Sequence, residues 1–186
     1  MRWIAAIALT LTAVPAAGTP HVSLVPWKVL DRGAAVNAPL VLYWVPASRD
    51  ELRRSELLTS SELTLYASQC VAMRVVRFDD DVTLEKLQVE HELPVAVLVD
   101  ADGHLLAEVA PRDGELDAGA VEAMVRDELD RRATEAEELL DDARAKADGG
   151  ETDAAIAMYR SVWEQRCVCP RQARHAQRAL KKLKAR

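Results

Sequence analysis

Pro39-Leu40-Val41-Leu42-Tyr43-Trp44-Val45 is an unbroken apolar run, and Ser48-Arg49-Asp50-Glu51 follows it after Pro46-Ala47. A strand with one face in water alternates apolar and polar residues; a run without alternation belongs to a strand covered on both faces, as in the interior of a sheet layered between helices. In the second segment, Ser48 can accept from an amide of a first helical turn while Glu51, three residues on, reaches back, which is the capping box. A buried, central parallel strand running directly into a capped helix is the beginning of an α/β fold.

The same signals continue outward. Before the run, a short lead-in surrounds Trp27. After it, Thr59 with Glu62 repeats the capping signature ahead of Leu63, Tyr66 and Ala67, predicting a second short helix, and Val71–Phe78 reads as a strand. Leu84, Leu87 and Glu90 or His91 fall on a helix that Pro94 terminates. Val95–Val99 is a second buried strand, joined through the Asp102-Gly103 turn to an antiparallel strand at Leu105–Val109. Asp117 is placed to cap a helix whose apolar stripe is Ala120, Val121, Met124, Val125 and Leu129. Strand, helix, strand, helix, hairpin and helix in that order describe a sheet with helices on both faces.

Composition sets the outer limits. The chain has 186 residues, 49% of them hydrophobic and only 4% aromatic, enough for one α/β domain with a small appendage. Its net charge of −6 argues against a general nucleic-acid binder, whose affinity rests on neutralising phosphates. The charge is unevenly spread: residues 166–186 hold eight Lys and Arg and no acid, leaving 16 basic and 30 acidic groups in residues 1–165. At the other end, Met1-Arg2, the apolar run Trp3–Val14 and the small residues Ala16-Ala17-Gly18 read as a signal peptide over residues 1–18. The run is shorter than the ~20 residues a membrane span needs, and no Cys follows it to carry a lipoprotein anchor; the alternative is an uncleaved N-terminal anchor. These features predict a periplasmic or secreted protein without a stable membrane span after cleavage, in a compartment where disulfides persist.

Residues 25–130 resemble a thioredoxin-fold domain of the exported thioredoxin-like kind. The matching features are the apolar strand ending in Tyr43-Trp44, the helix starting at Ser48, the stretch from Leu57 to Val76, Leu93-Pro94 before a strand, and the turn Asp100-Ala101-Asp102-Gly103. The resemblance implies a central mixed sheet flanked by helices and places the dithiol of an active thioredoxin at Ser48 and Glu51, neither of which is Cys. It also places a proton-transferring carboxylate at Leu42, the tryptophan before the first thiol at Ala47, and the cis-proline of the substrate groove at Pro94. Without the resemblance, Pro94 is a helix stop. A thioredoxin-type oxidoreductase needs a thiolate of lowered pKa at a helix N-terminus and a second thiol that resolves the mixed disulfide, so the usual site is expected to be inactive and the serine structural. A nucleophilic serine would need an adjacent base, and His21, His91, His104 and His175 are all remote from Ser48 in sequence.

Residues 133–186 are of another kind. Leu139, Leu140, Ala143 and Ala147, then Gly149-Gly150, then Ala155, Ile156, Tyr159, Val162 and Trp163 read as a helical hairpin resembling one tetratricopeptide-like repeat. Pro170 breaks the second helix, and Ala173, Ala176, Leu180 and Leu183 give a third helix a narrow apolar seam. Acids from Glu135 to Asp142 on a neighbouring helix suggest that its basic residues are neutralised within the chain. Cys70, at a helix end, is expected to be a small buried hydrophobe. Cys167 and Cys169, between Arg166 and Arg171, are expected to have depressed pKa values and leave four alternatives: inert thiols, a structural bridge such as Cys70 to one of them, a redox pair, or a soft-metal site. No resident metal or cofactor is expected. The sequence therefore predicts a thioredoxin-like protein, redox-inactive at its usual site, that binds or scaffolds other envelope proteins; the alternatives are a thiol-disulfide oxidoreductase or a soft-metal binder using Cys167 and Cys169.

Overall fold

The computed structural model describes residues 23–89 and 92–184. The expected signal segment, Glu90 and His91 lie outside the described residues. Five strands form one mixed sheet: β1 (Lys28–Val29), β2 (Leu40–Val45), β3 (Val71–Val75), β4 (Val95–Asp100) and β5 (Leu105–Val109), in the order β1-β3-β2-β4-β5. β1 and β2 both run parallel to β3, whereas β4 is antiparallel to β2 and to β5. The apolar run is thus the central strand, and every residue of β2 is buried.

Because successive side chains of a strand point to opposite faces, β2 feeds two cores. Leu40, Leu42 and Trp44 join Met73, Val75, Ala96 and Leu98 on one face, while Val41, Tyr43 and Val45 join Val95, Val97 and Val99 on the other. The first face is covered by α2 (Ser61–Ser68) and α4 (Ala118–Asp148), and the second receives Leu84 and Leu87 from around α3 (Asp81–Lys86). A short α1 (Glu51–Arg54) and a 3-10 turn at Glu56–Leu58 lead from β2 to α2.

Three local expectations are corrected. The cap of α2 is Ser60, whose Oγ accepts from Leu63 N at 3.0 Å; Thr59 instead closes the preceding 3-10 turn, its amide donating to Glu56 O at 3.0 Å. β3 ends at Val75 rather than Phe78, since the chain turns into the Arg77–Asp79 ion pair at 2.7 Å. The helix capped by Asp117, whose Oδ1 accepts from Ala120 N at 3.2 Å, does not stop near Leu129 but continues as α4 for 31 residues, about 47 Å at the helical rise.

α4 therefore belongs to both halves of the chain. Val121, Val125 and Leu129 pack on the sheet; Ala136, Leu140 and Ala143 pack on α5 (Thr152–Glu164) and α6 (Pro170–Lys184), and all six lie in one continuous apolar cluster. Gly149-Gly150 makes the return: Gly150 has φ +83°, a conformation that disfavours a Cβ, and Glu151 N donates back to Lys146 O at 2.9 Å to close the helix end. Pro170 opens α6 at its first helical position, where its missing N–H leaves no bond unmade.

Candidate functional site

The C-terminal end of β2 and the start of β4 lie side by side, with Val45 paired to Val95. That register brings two loops to the same end of the sheet: the Pro46–Ser48 turn and the segment at Leu93-Pro94, whose peptide bond is cis and whose proline is buried. Both positions singled out from the sequence, Ser48 and Pro94, are thus gathered at one end of the central strands.

Ser48 Oγ accepts from Glu51 N at 3.1 Å, and Leu52 N donates to Ser48 O at 3.2 Å, so Ser48 caps the turn at residues 49–50 that leads into α1; Asp50, directly before α1, makes no side-chain cap bond. The Glu51 carboxylate reaches back one residue further than the capping box requires. Its Oε2 accepts from Ala47 N at 2.6 Å, and its Oε1 accepts from Trp44 Nε1 at 3.4 Å. Burial raises the Glu51 pKa above its ordinary value, opposed by the Ala47 amide and the Trp44 indole. Leu42 is fully buried among apolar side chains, and Ala47 is exposed.

Ser48 and Glu51 line a cleft of about 770 Å³ whose opposite wall is the loop Arg112–Ala118. Asp113 and Gly114, at φ 55° and 80°, turn this loop, with Arg112 N donating to Glu115 O at 2.8 Å. Asp50, Glu56, Asp113, Glu115 and Asp117 rim the cleft with only Arg54 and Arg112 as cations, so it attracts positive groups. Among the described residues, no histidine or cysteine lines the cleft, and the carboxylate nearest in sequence to Ser48 in it, that of Glu51, is engaged with the Ala47 amide and the Trp44 indole.

The cysteines lie elsewhere. Cys70, between α2 and β3, forms a disulfide with Cys167, between α5 and α6, with the Cα atoms 5.7 Å apart. Of the alternatives, the bridge from Cys70 to one of the two C-terminal cysteines is the one formed, and the expectation of Cys70 as a small buried hydrophobe is corrected: it is half-buried and bonded, and it staples the sheet to the helical end. Cys169 is free and only 2% exposed. Its pKa is raised by burial, with Arg132 opposing and Glu135 adding to the effect, which corrects the expected depression. Arg166 does not serve Cys169, because its guanidinium lies over the Trp163 ring at 5.5 Å.

The expected neutralisation of the basic tail is also corrected. Among the described residues, none of the ion pairs involves Arg171, Arg174, Arg178, Lys181 or Lys182, and the one side-chain hydrogen bond from α6 to an acid of α4 is that of Gln172 to Glu137 at 3.0 Å. The acids of α4 are instead partly used locally, as in Arg144–Asp141 at 2.9 Å and Arg131–Glu135.

One cluster escaped the sequence reading. Asp100, Asp102 and His104 converge at the β4–β5 turn, their ligating atoms within 4.8 Å of one another. The alternation of the three residues across an Asp-Gly turn is the signal that marks it. Asp100 Oδ1 accepts from the amides of Asp102 and His104, both at 2.9 Å, and Oδ2 lies 3.1 Å from His104 Nδ1. The His104 amide is the main reason that the Asp100 pKa is lowered. This carboxylate is spent on closing the turn.

No protein-family model matches the chain, and no curated protein matches it. Among the described residues, no helix is long and apolar enough to cross a membrane. The Cys70–Cys167 disulfide fits an oxidising compartment.

Proposed function

We propose that this chain is an exported thioredoxin-fold protein whose dithiol position has become a structural cap, and that it acts as a protein-binding module in the cell envelope. The observation that carries this reading is the Ser48–Glu51 arrangement at the sheet end beside Pro94. The strand order β1-β3-β2-β4-β5, with β1, β3 and β2 parallel and β4 antiparallel to both of its neighbours, supports the thioredoxin fold. At the position where that fold carries out disulfide exchange, a serine oxygen and a glutamate carboxylate hold the helix start instead. The disulfide supports export, and the cleft of about 770 Å³ offers a surface beside the same loops. Fold likeness alone does not dictate activity; the missing thiols carry the argument.

The oxidoreductase alternative needs a cycling, accessible dithiol, and the soft-metal alternative needs two free thiolates. Cys167 bonded to Cys70 and Cys169 buried with a raised pKa weigh against both. The deciding assay is reduction of insulin and isomerisation of a scrambled disulfide substrate by the purified protein. No appreciable activity is expected. A rate comparable with that of a dithiol thioredoxin, abolished by Cys167→Ser, overturns the binding-module reading.

A further inference from the structure

We propose that the groove between α4 and α6 binds an acidic segment of a partner protein, one that carries aliphatic side chains between its carboxylates. The inference rests on the binding-module reading and names the chemistry of the partner. The groove has a volume of about 500 Å³. Its floor is apolar: Leu140 and Tyr159 are buried, and Ala179 and Leu183 are half-buried. Tyr159 is only 6% exposed overall, and its hydroxyl, which makes no hydrogen bond among the described residues and is not sealed from solvent, can donate to a ligand carboxylate.

The walls supply the charge. On α6, Arg171, His175, Arg178 and Lys182 follow one another at spacings of four, three and four residues, which places them on one helix face. Arg178 and Lys182 are exposed at the groove and make no ion pair among the described residues. Opposite them stand Arg144, already paired with Asp141, and Asp148. Nearer Pro170 a smaller hollow of about 250 Å³ is lined by Glu137 and Asp141 together with Arg171, so the cationic excess lies at the Arg178–Lys182 end. Carboxylates reaching those two side chains meet unspent charge, while aliphatic groups between them cover the floor.

A membrane surface fits less well. The cations rim a concavity, and among the described residues the exposed large hydrophobics, Leu24, Val29, Leu65, Phe78, Val82 and Leu105, all lie outside α5 and α6, so neither helix offers an apolar wedge for a bilayer there. A nucleic acid fits less well too, because the 30 acids of residues 1–165 against 16 bases repel a long polyanion, whereas a short acidic segment is confined to the groove.

The test titrates the full chain into a fluorescent peptide of alternating Glu and Leu and into a control peptide with Gln for Glu, followed by anisotropy. Binding of the Glu peptide is expected to be at least about tenfold tighter than that of the control, and to weaken as rising salt shortens the screening length from ~10 Å to ~3 Å. The double variant Arg178→Glu, Lys182→Glu is expected to lose about tenfold or more, with far-UV circular dichroism checking that α6 is intact. Ala179→Trp, which fills the floor and keeps every cation, is expected to weaken binding as well. Equal affinity for both peptides, or no effect of the double variant, overturns the proposal. Tighter binding to phosphatidylglycerol vesicles or to an oligouridylate overturns it in favour of lipid or nucleic acid, and self-association lost in the double variant overturns it in favour of a second copy. Failure here with no insulin-reducing activity removes the groove assignment alone; dithiol activity removes the binding-module reading itself.

Discussion

Ser48 shows how a single side chain separates a cap from a nucleophile. Its hydroxyl oxygen accepts from the Glu51 amide, and among the described residues no histidine lines the cleft. Ser48→Asp should therefore preserve stability, since an aspartate accepts from the same amide, whereas Ser48→Ala should cost roughly 0.5 to 2 kcal/mol, measured by urea denaturation. Equal behaviour of the two variants would reject the cap. Glu128 is the second residue with a measurable signature. It is 9% exposed and accepts from Arg131 and Arg132, each at 2.7 Å. Burial alone would raise its pKa, but the hydrogen bonds from Arg131 and Arg132 prevail and hold it below the ordinary value of 4.5. The folded state then binds fewer protons than the unfolded chain in acid. The resulting stabilisation is complete above pH 4.5 and is lost as pH falls through the lower folded value. Glu128→Gln should cost roughly 1 to 3 kcal/mol at neutral pH and flatten the acid limb of a stability–pH profile; an unchanged limb would exclude this carboxylate as its source.

Among the elements, β2 was legible because burial on both faces leaves an unmistakable apolar run, and β4–β5 because Asp102-Gly103 marks the hairpin. The length of α4 was not. Between Leu129 and Leu139 the sequence changes from an apolar stripe to a charged surface, yet Ala133-Thr134-Glu135-Ala136 contains no proline or glycine, and a change of partner does not require a change of conformation. The candidate site was legible as an absence of thiols. The convergence of its walls was not, because Arg112–Ala118 meets Ser48 only through the sheet register. The basic helix differs from the expectation for a related reason: neighbouring helices need not bring opposite charges within pairing distance, and no ion pair joins α6 to α4 among the described residues, where Asp141 pairs with Arg144 of its own helix. α4's continuity is itself testable. Ala133→Pro should cost about 3 kcal/mol or more by removing a helical bond and crowding the preceding turn, against about 1 kcal/mol for Ala133→Gly. Hydrogen exchange should locate the loosening at the junction and in α5 and α6 rather than in β2 and β4. Uniform loosening of the sheet would mean that α4 is not the hinge between the two packings.

At the scale of the molecule, the sheet and the helical end are joined three ways: by α4, by the continuous apolar cluster, and by the Cys70–Cys167 bond across a sequence separation of 97. The first two hold the native arrangement without the third, so losing the disulfide should leave the folded structure largely in place and act through the freedom returned to the unfolded chain. The expected loss is roughly 2 to 5 kcal/mol for so long a loop. Cys70→Ala and Cys167→Ala should cost nearly the same, and the double variant no more than either single one, because both remove one bond. Cys70 adds a finer distinction. It sits at φ 63°, where a Cβ costs about 1 kcal/mol or more that glycine avoids. Cys70→Gly should accordingly be less destabilising than Cys70→Ala by about that amount, although both lose the bridge. Since Cys167 is exposed, reductant should reach the bond in the folded protein and lower the wild-type melting temperature to that of Cys167→Ala, with no further effect on the variant. An additive loss in the double variant, or a melting temperature indifferent to reductant, would show that the helical end is held by packing alone.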